Sequence, residues 1–307
     1  MDNNLFVKDK DIKISKSSFN IFENETIKYE GKTRKKTLNE LTVFLRRNPE
    51  LLDALSYLIL DTISKLHFTS SRQITQFINV TKDPTIEQSK ICKRLDRLSK
   101  LDIISKYSIY SEENIASNVK IYSLESNGKI LLKAKGYQCE WKPTDSLDSQ
   151  KIKSYLVNNQ YIIKLLQSSN FVKDLKCRVI TPSGISSLYR INDSDHVVIP
   201  VRRYLDYKEE LINTFENLKN NSEFYSLNNE KIIILGEDSN HIFEIFQLLT
   251  KNKYMSKNIY FISDLRIFEQ EFNKLFVQFI IKSTPDNKAS VVLKEVLIDD
   301  FLIKDSD

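Results

Sequence analysis

One segment constrains the fold more than any other part of the chain. Residues 85–101 have the pattern of a helix with two unlike faces, and a strand pattern follows directly. Apolar residues recur at helical spacing on one face: Ile86, Ile91, Leu95, Leu98 and Leu101. Hydroxyl-bearing and basic residues occupy the other: Ser89, Lys90, Lys93, Arg94 and Arg97. A helix that buries one face and exposes a basic one has the shape and charge that suit a DNA major groove.

Helical patterns precede this segment and strand patterns follow it. Apolar spacing predicts a long helix over residues 50–68 and a short one over 71–79, which Ser70 or Ser71 would cap. Residues 103–110 and 118–124 alternate apolar and polar side chains, which is typical of strands. The order helix, helix, helix, strand, loop, strand is that of a winged helix.

The ends of these elements add detail to the prediction. We expect Asp83 to cap the basic helix and Pro84 to be its first residue. The polar segment 111–117 predicts a loop too long for a tight hairpin. Winged helices often end the recognition helix with glycine, whereas Asp102 stands here, which tolerates the left-handed conformation better than most residues. A closing helix is expected to end at Gly136.

Charge and composition limit the class of protein. The chain has 307 residues and a net charge of +5, and basic residues concentrate between positions 28 and 47. Within that stretch, residues 31–36 predict either a flexible solvated loop or an arm whose Lys35 and Lys36 contact phosphates. No secretory signal or membrane-spanning run is evident, so we expect a cytoplasmic protein with no membrane partner. Three widely spaced cysteines argue against a disulfide framework and against a zinc site.

The second half of the chain predicts a separate α/β layer. Residues 141–146 have the composition of a linker, and 147–168 form an amphipathic pattern that would bridge the halves or pair with a second copy. Strands are predicted over residues 177–181, 197–201, 231–235 and 258–262, with helices over 207–220 and 241–249. Their spacing implies a parallel crossover unit. Pro200 predicts that its strand is shortened or lies at an edge.

Catalytic chemistry is poorly supported in this half. Four acidic residues were weighed as metal ligands: Asp193, Asp195, Glu209 and Glu210. A restriction-type nuclease needs a carboxylate near Val201, which cannot serve. The three histidines share no ligand spacing, and His196 is expected in a turn rather than as a base. We therefore predict no catalytic residue, no metal and no other cofactor.

The chain resembles the replication-relaxation family of plasmid and conjugative-element proteins. The resemblance rests on residues 51–68, 89–98, 103–104, 119–124 and 128–132 and on the helical pattern after Trp141. It extends loosely through Asp195–Ile199 and residues 231–235. It implies a DNA-binding accessory or regulator of a mobile element. It also implies that the second domain resembles a restriction-nuclease-like fold without its active site.

The predicted fold class is therefore α+β, with an N-terminal winged helix-turn-helix and a small α/β domain. The expected boundaries are a basic extension over 1–47, a winged helix over 48–140, a linker helix over 141–170 and a non-catalytic α/β domain over 171–307. The expected partners are double-stranded DNA, a second copy of the chain, and a relaxase or replication protein.

The predicted function is sequence-specific DNA binding in replication, mobilisation or transcriptional regulation. The basic helix would lie in the major groove, and Lys106 and the 111–117 loop would lie over the backbone or minor groove. Two alternatives remain open. One is a winged-helix protein adaptor, which the acidic Glu112 and Glu113 favour. The other is a degenerate nuclease whose Mg²⁺-dependent cleavage would require Asp195.

Overall fold

The structure is a computed structural model in which two compact units are distinguished. It describes residues 26–31, 37–82, 84–111, 114–142, 148–168, 175–179, 187–191, 194–220, 231–269, 274–283, 289–296 and 301. The first unit, here the N-terminal unit, covers residues 22–163, and the second, here the α/β unit, includes residues 164–307. None of the described helices is both long and apolar enough to cross a bilayer.

The N-terminal unit combines a helical cluster with a three-stranded sheet. Its elements are β1 (Thr26–Tyr29), α1 (Leu38–Arg47), α2 (Ala54–Leu66), α3 (Ser71–Thr81), α4 (Gln88–Lys100), β2 (Ile104–Ser111), β3 (Asn114–Leu124), α5 (Ser126–Ala134) and α6 (Ser149–Gln167), of which α6 continues past residue 163. The sheet order is β1-β2-β3, with both pairings antiparallel. The succession of α2, α3, α4, β2 and β3 is the one predicted for a winged helix.

Local side-chain caps explain where several of these helices begin. Thr37 and Glu40 form a reciprocal capping box on α1, and Ser70 and Gln73 form one on α3. The predicted Ser70 cap is therefore confirmed. The long helix begins later than predicted, because Asp53 caps α2 and residues 49–51 form a separate short 3-10 helix.

Two predicted boundaries between residues 83 and 117 are wrong. The basic helix begins at Gln88, and Pro84 and Thr85 lie in a turn rather than in its first turn. Strand β2 is shifted by one residue from its predicted range and ends at Ser111, and β3 is longer than predicted because it begins at Asn114. Residues 112–113, which include the acidic pair of the predicted loop, lie outside the described residues. Ser111 and residues 114–117 belong to strands, but the polar composition of 111–117 gave no strand pattern.

The stretch predicted as a basic extension carries regular structure. Thr26 pairs with Tyr110 and Tyr29 with Tyr107, which adds β1 to the edge of β2. Leu41 of α1 is completely buried in the core of the N-terminal unit. The structure thus places residues 26–29 and 38–47 in the same unit as the helices that follow, which differs from the boundary predicted at residue 48.

Helix α6 begins close to where it was predicted but packs on the N-terminal unit instead of serving only as a linker. The Asn159 Nδ2 donates to the carbonyl oxygens of Leu66 and Phe68 at 3.1 and 2.7 Å. The Gln73 Nε2 donates to the carbonyl oxygen of Leu156 at 2.6 Å. These bonds tie α6 to α2 and α3 through buried polar groups, a pattern that apolar periodicity does not reveal.

The start of the predicted linker also belongs to the core. Trp141 is buried in the same cluster as Leu132 and Cys139, and its carbonyl oxygen accepts a hydrogen bond from the Lys129 Nζ at 2.5 Å. Cys139 is a free, buried thiol and Cys92 is free and half-buried, as expected of small apolar residues. The side chain of Cys177 lies outside the described residues.

The α/β unit is built on one mixed sheet. Its described elements are β4 (Leu175–Val179), β5 (Ser187–Ile191), β6 (Ser194–Pro200), α7 (Tyr207–Asn220), β7 (Lys231–Gly236), α8 (Ser239–Lys251), β8 (Ile259–Ser263), α9 (Asp264–Glu269), β9 (Phe276–Ser283) and β10 (Ala289–Val296). The strand order is β10-β9-β8-β7-β6-β5-β4. Strands β6, β7 and β8 are mutually parallel and the other described pairings are antiparallel.

The parallel centre of this sheet confirms the predicted crossover unit. Helix α7 has the predicted bounds, and strand β7, which is apolar after Lys231, is buried along its full length between β6 and β8. The edge prediction for Pro200 is wrong, because β6 lies inside the sheet. Pro200 is its last residue, and the ladder continues with the N–H of Val201 donating to the carbonyl oxygen of Leu235 at 2.9 Å. A proline at a strand end costs no interior hydrogen bond.

Candidate nucleic-acid interface

The basic helix α4 is anchored by one completely buried stripe. Ile91, Leu95 and Leu98 have no exposed surface and pack into the core of the N-terminal unit. Their i, i+4, i+7 spacing confines the buried side to about a third of the helix circumference. The remaining surface is open to carry polar residues, as the sequence predicted.

The C-terminal end of α4 is fixed by a Schellman motif. Asp102 has φ 57°, which confirms the left-handed conformation predicted at this position. The N–H of Ile103 donates to the carbonyl oxygen of Leu98, and that of Asp102 to Ser99, both at 3.1 Å. Ile103 and Leu98 are both completely buried, so the motif includes its usual hydrophobic contact. The helix therefore passes directly and rigidly into β2.

Four predicted DNA-binding residues lie together on the exposed side of α4. They are Ser89, Lys90, Lys93 and Arg97. The Ser89 Oγ also donates to the Glu87 carboxylate at 3.1 Å, so this hydroxyl is partly engaged at the helix start. Lys100 shares the exposed side and was missed, although its spacing of seven from Lys93 is a signal that could have included it.

Arg94 occupies a different environment from its neighbours. Its Nε and Nη2 lie 3.0 and 2.6 Å from the Oδ2 of Asp53, and its side chain is only 26% exposed. On a helix, residue 94 lies about 40° from the buried Leu98, so its side chain emerges at the margin of the buried stripe. That position brings it to the N-terminus of α2. Arg94 is therefore less exposed than Ser89, Lys90, Lys93 and Arg97.

The carboxylate of Asp53 accepts hydrogen bonds from Ser56 as well as from Arg94. Its Oδ1 accepts hydrogen bonds from the Ser56 N–H at 2.8 Å and the Ser56 Oγ at 2.6 Å, which caps α2. Burial on its own would raise the pKa of Asp53, but the hydrogen bonds from Arg94 and Ser56 outweigh it and lower the pKa to about 2. The carboxylate is therefore ionised at neutral pH, and Arg94 is paired with a full negative charge.

Lys106 of β2 is also engaged. Its Nζ lies 3.1 Å from a carboxylate oxygen of Glu30 and 3.3 Å from one of Asp96. Burial would lower the pKa of Lys106, but these two carboxylates outweigh it and raise the pKa. The predicted phosphate contact of Lys106 would require it to exchange or share these partners. The predicted arm residues Lys35 and Lys36 lie outside the described residues.

Sequence reasoning missed a contact between the two helices that precede the hairpin. The Gln88 Nε2 donates to the Ser71 Oγ at 3.1 Å, which joins the first turn of α4 to the first turn of α3. Arg72 is exposed in that same turn of α3. Gln88, Ser71 and Arg72 do not belong to an apolar stripe, so apolar periodicity gave no signal for this contact.

The α/β unit contains a separate charged cluster at the carboxyl ends of its parallel strands. Arg202 and Arg203 follow β6, Glu237 and Asp238 follow β7, and Asp264 begins α9 directly after β8. Open α/β sheets commonly bind ligands at this edge. Here the acidic groups already have cationic partners: Arg202 contacts Asp264 at 2.6 Å, and Arg203 pairs with both Asp238 and Glu237.

Two titratable groups in this cluster have shifted pKa values. Burial raises the pKa of Glu237, and the nearby Arg202 and Arg203 offset only part of that shift. Burial and the same two arginines lower the pKa of His241 to about 3, so its imidazole is neutral at pH 7. The His241 Nδ1 accepts the N–H of Glu237 at 3.2 Å, which fixes the ring at the start of α8.

Within the described part of the chain, the histidines and acidic side chains do not assemble into a recognisable reaction centre. His196 was expected in a turn, but it lies inside β6, is completely buried and packs 5.0 Å from the Phe301 ring. Asp193 and the side chain of Asp195 lie outside the described residues, and Glu209 and Glu210 are exposed in the first turn of α7. Among the side chains that the structure describes, no group of three His, Cys, Asp or Glu is placed to hold a metal ion.

Comparison with known proteins adds little. No protein-family model matches the chain, and no curated protein matches it. Among solved structures, the chain is similar to the crystal structure of Bacillus subtilis PadR in complex with operator DNA, at 16% identity and a TM-score of 0.25, over 66% of this chain and 93% of that one. A likeness at this TM-score carries no argument. The resemblance to the replication-relaxation family therefore stays a prediction.

Proposed function

We propose that this chain is a sequence-specific double-stranded DNA-binding protein whose helix α4 enters the major groove. One observation carries the proposal: Lys90, Lys93 and Arg97 are exposed on a helix whose opposite side is completely buried. A major groove accepts one α-helix and presents a distinct pattern of donors and acceptors for each base pair.

The contacts that fix α4 in place favour recognition of bases over attraction to phosphates by charge alone. The buried stripe and the Schellman motif hold the helix at a defined angle to β2, so its exposed side chains start from fixed positions. Arg97 has the planar fork that pairs bidentately with guanine, and Lys93 and Lys90 suit guanine or phosphate oxygens. Binding of this kind releases counterions and is therefore weakened by salt.

The charge environment of β2 refines the expected role of the wing. Because Lys106 already faces Glu30 and Asp96, we propose that β2 supports α4 and does not supply the main phosphate contacts. The Asp96 contact links the exposed side of α4 to the sheet, so Lys106 would help to set the angle of the helix.

For the α/β unit, we propose a non-catalytic role in dimerisation or in docking a relaxase or replication protein. The pairing of its buried acidic groups with Arg202 and Arg203 supports the absence of catalysis. A restriction-nuclease-like fold of this unit and a place in replication, mobilisation or transcription of a plasmid, phage or conjugative element rest on the family resemblance alone. The proposed cytoplasmic location rests on the sequence pattern.

Selection from random duplexes tests this proposal. The full chain is incubated with a library of randomised double-stranded DNA, bound duplexes are recovered over several rounds, and the pool is sequenced. We expect one enriched motif, and we expect the Lys93→Ala, Arg97→Ala double variant to lose the enrichment. A pool from the folded wild-type chain that stays as random as the input would overturn the proposal.

A protein adaptor is the second candidate function, and one observation favours it. Helix α1 exposes apolar surface: Leu38 is 36% exposed, Val43 49% and Phe44 39%. Exposed apolar residues on one short helix are a feature of protein-binding surfaces. Substitution of Val43 and Phe44 by Ser would abolish partner binding by an adaptor, whereas it would leave the duplex selection unchanged if α4 reads DNA.

A further inference from the structure

We propose that Asp53 is a positioning residue for DNA readout, which holds Arg94 so that the free end of its guanidinium reads one guanine. The inference rests on the proposed function of α4. It concerns a residue outside α4 that the sequence pattern did not single out, and it gives Arg94 a task distinct from that of the exposed lysines.

The contact between the two side chains uses one edge of the guanidinium. Nε and Nη2 share that edge, and both donate to the Oδ2 of Asp53 at 3.0 and 2.6 Å. The other carboxylate oxygen is held by the N–H and Oγ of Ser56. The Asp53 side chain is 36% exposed, but its hydrogen bonds from Ser56, which is buried in α2, fix the position of the carboxylate.

The opposite end of the guanidinium keeps donors for a ligand. Arginine has five N–H donors in a rigid fork, and the edge contact with Asp53 uses two of them. Nη1 lies 3.4 Å from the carbonyl oxygen of Lys90, which is long for a hydrogen bond. The end-on pair of Nη1 and Nη2 is the pair that binds the O6 and N7 atoms of guanine.

The charges define what this arginine can contribute. Asp53 is ionised and balances the charge of Arg94, so the pair adds little net attraction for phosphates. Its contribution is directional, because a guanidinium held on one side has fewer orientations to lose when it binds a base. Among the residues that the structure describes, no carboxylate supports Lys93 or Lys90 in this way, and these lysines contribute through charge. The pair should therefore affect base preference much more than salt dependence.

Two variants with the same chemical change test the inference. Asp53→Asn removes the charge and keeps a good N-cap residue on α2. Asp238→Asn is the matched control, because Asp238 also caps a helix, α8 of the α/β unit, and also pairs with an arginine, Arg203. Both variants are compared with the wild-type chain on the selected duplex and on duplexes mutated at each guanine, over a range of salt concentrations.

We expect Asp53→Asn to weaken binding to the selected duplex by about 10-fold and to lose the preference for guanine at a single position. The salt dependence should stay unchanged, and Arg94→Ala should lose the same preference. Asp238→Asn should bind like the wild type. An Asp53→Asn variant that keeps the wild-type base preference would overturn the inference, as would one that binds more tightly, because Asp53 would then compete with DNA for Arg94.

Failure of this inference can be told from failure of the proposed function. If the wild-type chain selects no duplex, the proposed function itself is wrong. If it selects a motif that depends on Lys93 and Arg97 but not on Asp53, only the positioning role is wrong. Thermal unfolding of each variant identifies a loss of binding that follows from unfolding, and Asp53→Glu offers a second test, since a longer carboxylate should restore part of the preference.

Discussion

The guanidinium of Arg202 lies 2.6 Å from the carboxylate of Asp264, and Arg202 is almost completely buried. The same guanidinium donates through Nη2 to the carbonyl oxygen of Leu235 at 2.9 Å. One side chain thereby connects the carboxyl ends of β6, β7 and β8. A buried ion pair of this kind is costly to break from one side, because the remaining charge loses its partner.

Removal of Arg202 should therefore destabilise the α/β unit. We expect Arg202→Met to lower the free energy of unfolding by about 3–5 kcal/mol, because Asp264 is left buried and uncompensated. The neighbouring Arg203→Met is the control. Arg203 is 34% exposed, and its second partner, the buried Glu237, keeps the charge of Arg202 nearby, so the loss should be about 1 kcal/mol or less. Urea unfolding of the full chain measures both, and equal losses would show that burial does not distinguish the two pairs.

The buried His241 should make stability depend on pH. Its pKa is about 3 in the folded chain against 6.5 for the free group, so the unfolded chain binds more protons between these values. The His241 contribution to stability is then fully present above pH 6.5 and falls as the pH decreases through this window. The His241 contribution should amount to about 2 kcal/mol between pH 7 and pH 5.

His241→Gln provides the comparison for that pH dependence. The variant has no imidazole to protonate, so its unfolding free energy should change less between pH 7 and pH 5 than that of the wild type. Chemical unfolding followed by backbone circular dichroism gives the unfolding free energy of each chain at pH 7 and at pH 5. Identical slopes in the two chains would mean that His241 titrates normally and is not held neutral in the folded state.

Gly128 lies where a side chain has no room. A Cβ atom there would be 2.5 Å from the carbonyl oxygen of Ile103 and 2.7 Å from Leu124. We expect Gly128→Ala to destabilise the N-terminal unit by about 1–3 kcal/mol, because backbone atoms must move. At Gly136 a Cβ would meet nothing within 4 Å, but φ is 88°. Gly136→Ala should therefore cost about 1 kcal/mol through backbone strain. Thermal unfolding of the two variants compares a packing cost with a strain cost.

Apolar periodicity predicted the elements that bury a regular stripe. Helices α2, α4 and α7 and strand β7 belong to this group, and their sequence repeats match the core residues that the structure shows. The left-handed turn at Asp102 was also predictable, because a helix that enters a strand directly needs that conformation. Helix boundaries were less predictable, since the Asp53 cap of α2 competes with other nearby candidates and α4 begins after Glu87 without a side-chain cap.

Long-range contacts explain most of what the sequence did not reveal. Strand β1 exists because it pairs with β2, some 80 residues later, and its four residues have no pattern of their own. Strands β5, β9 and β10 were missed in the same way, because antiparallel partners stabilise them. The pairing of Arg94 with Asp53 joins residues 41 apart, so a helical wheel placed Arg94 on the basic side without showing its partner.

The most direct test of the account is the salt dependence of duplex binding with and without the exposed basic residues of α4. Fluorescence anisotropy would compare the wild-type chain, the Lys93→Ala, Arg97→Ala double variant and a Lys219→Ala, Lys251→Ala control that changes charge equally on exposed sites of α7 and α8.

We expect the α4 double variant to bind the selected duplex roughly 30-fold or more weakly than the wild type. The slope of its affinity against salt concentration should fall by about 1, and its thermal stability should be unchanged. The control should match the wild type in affinity. An α4 double variant that binds within twofold of the wild type, with the same salt slope, would contradict the assignment of α4 to the major groove.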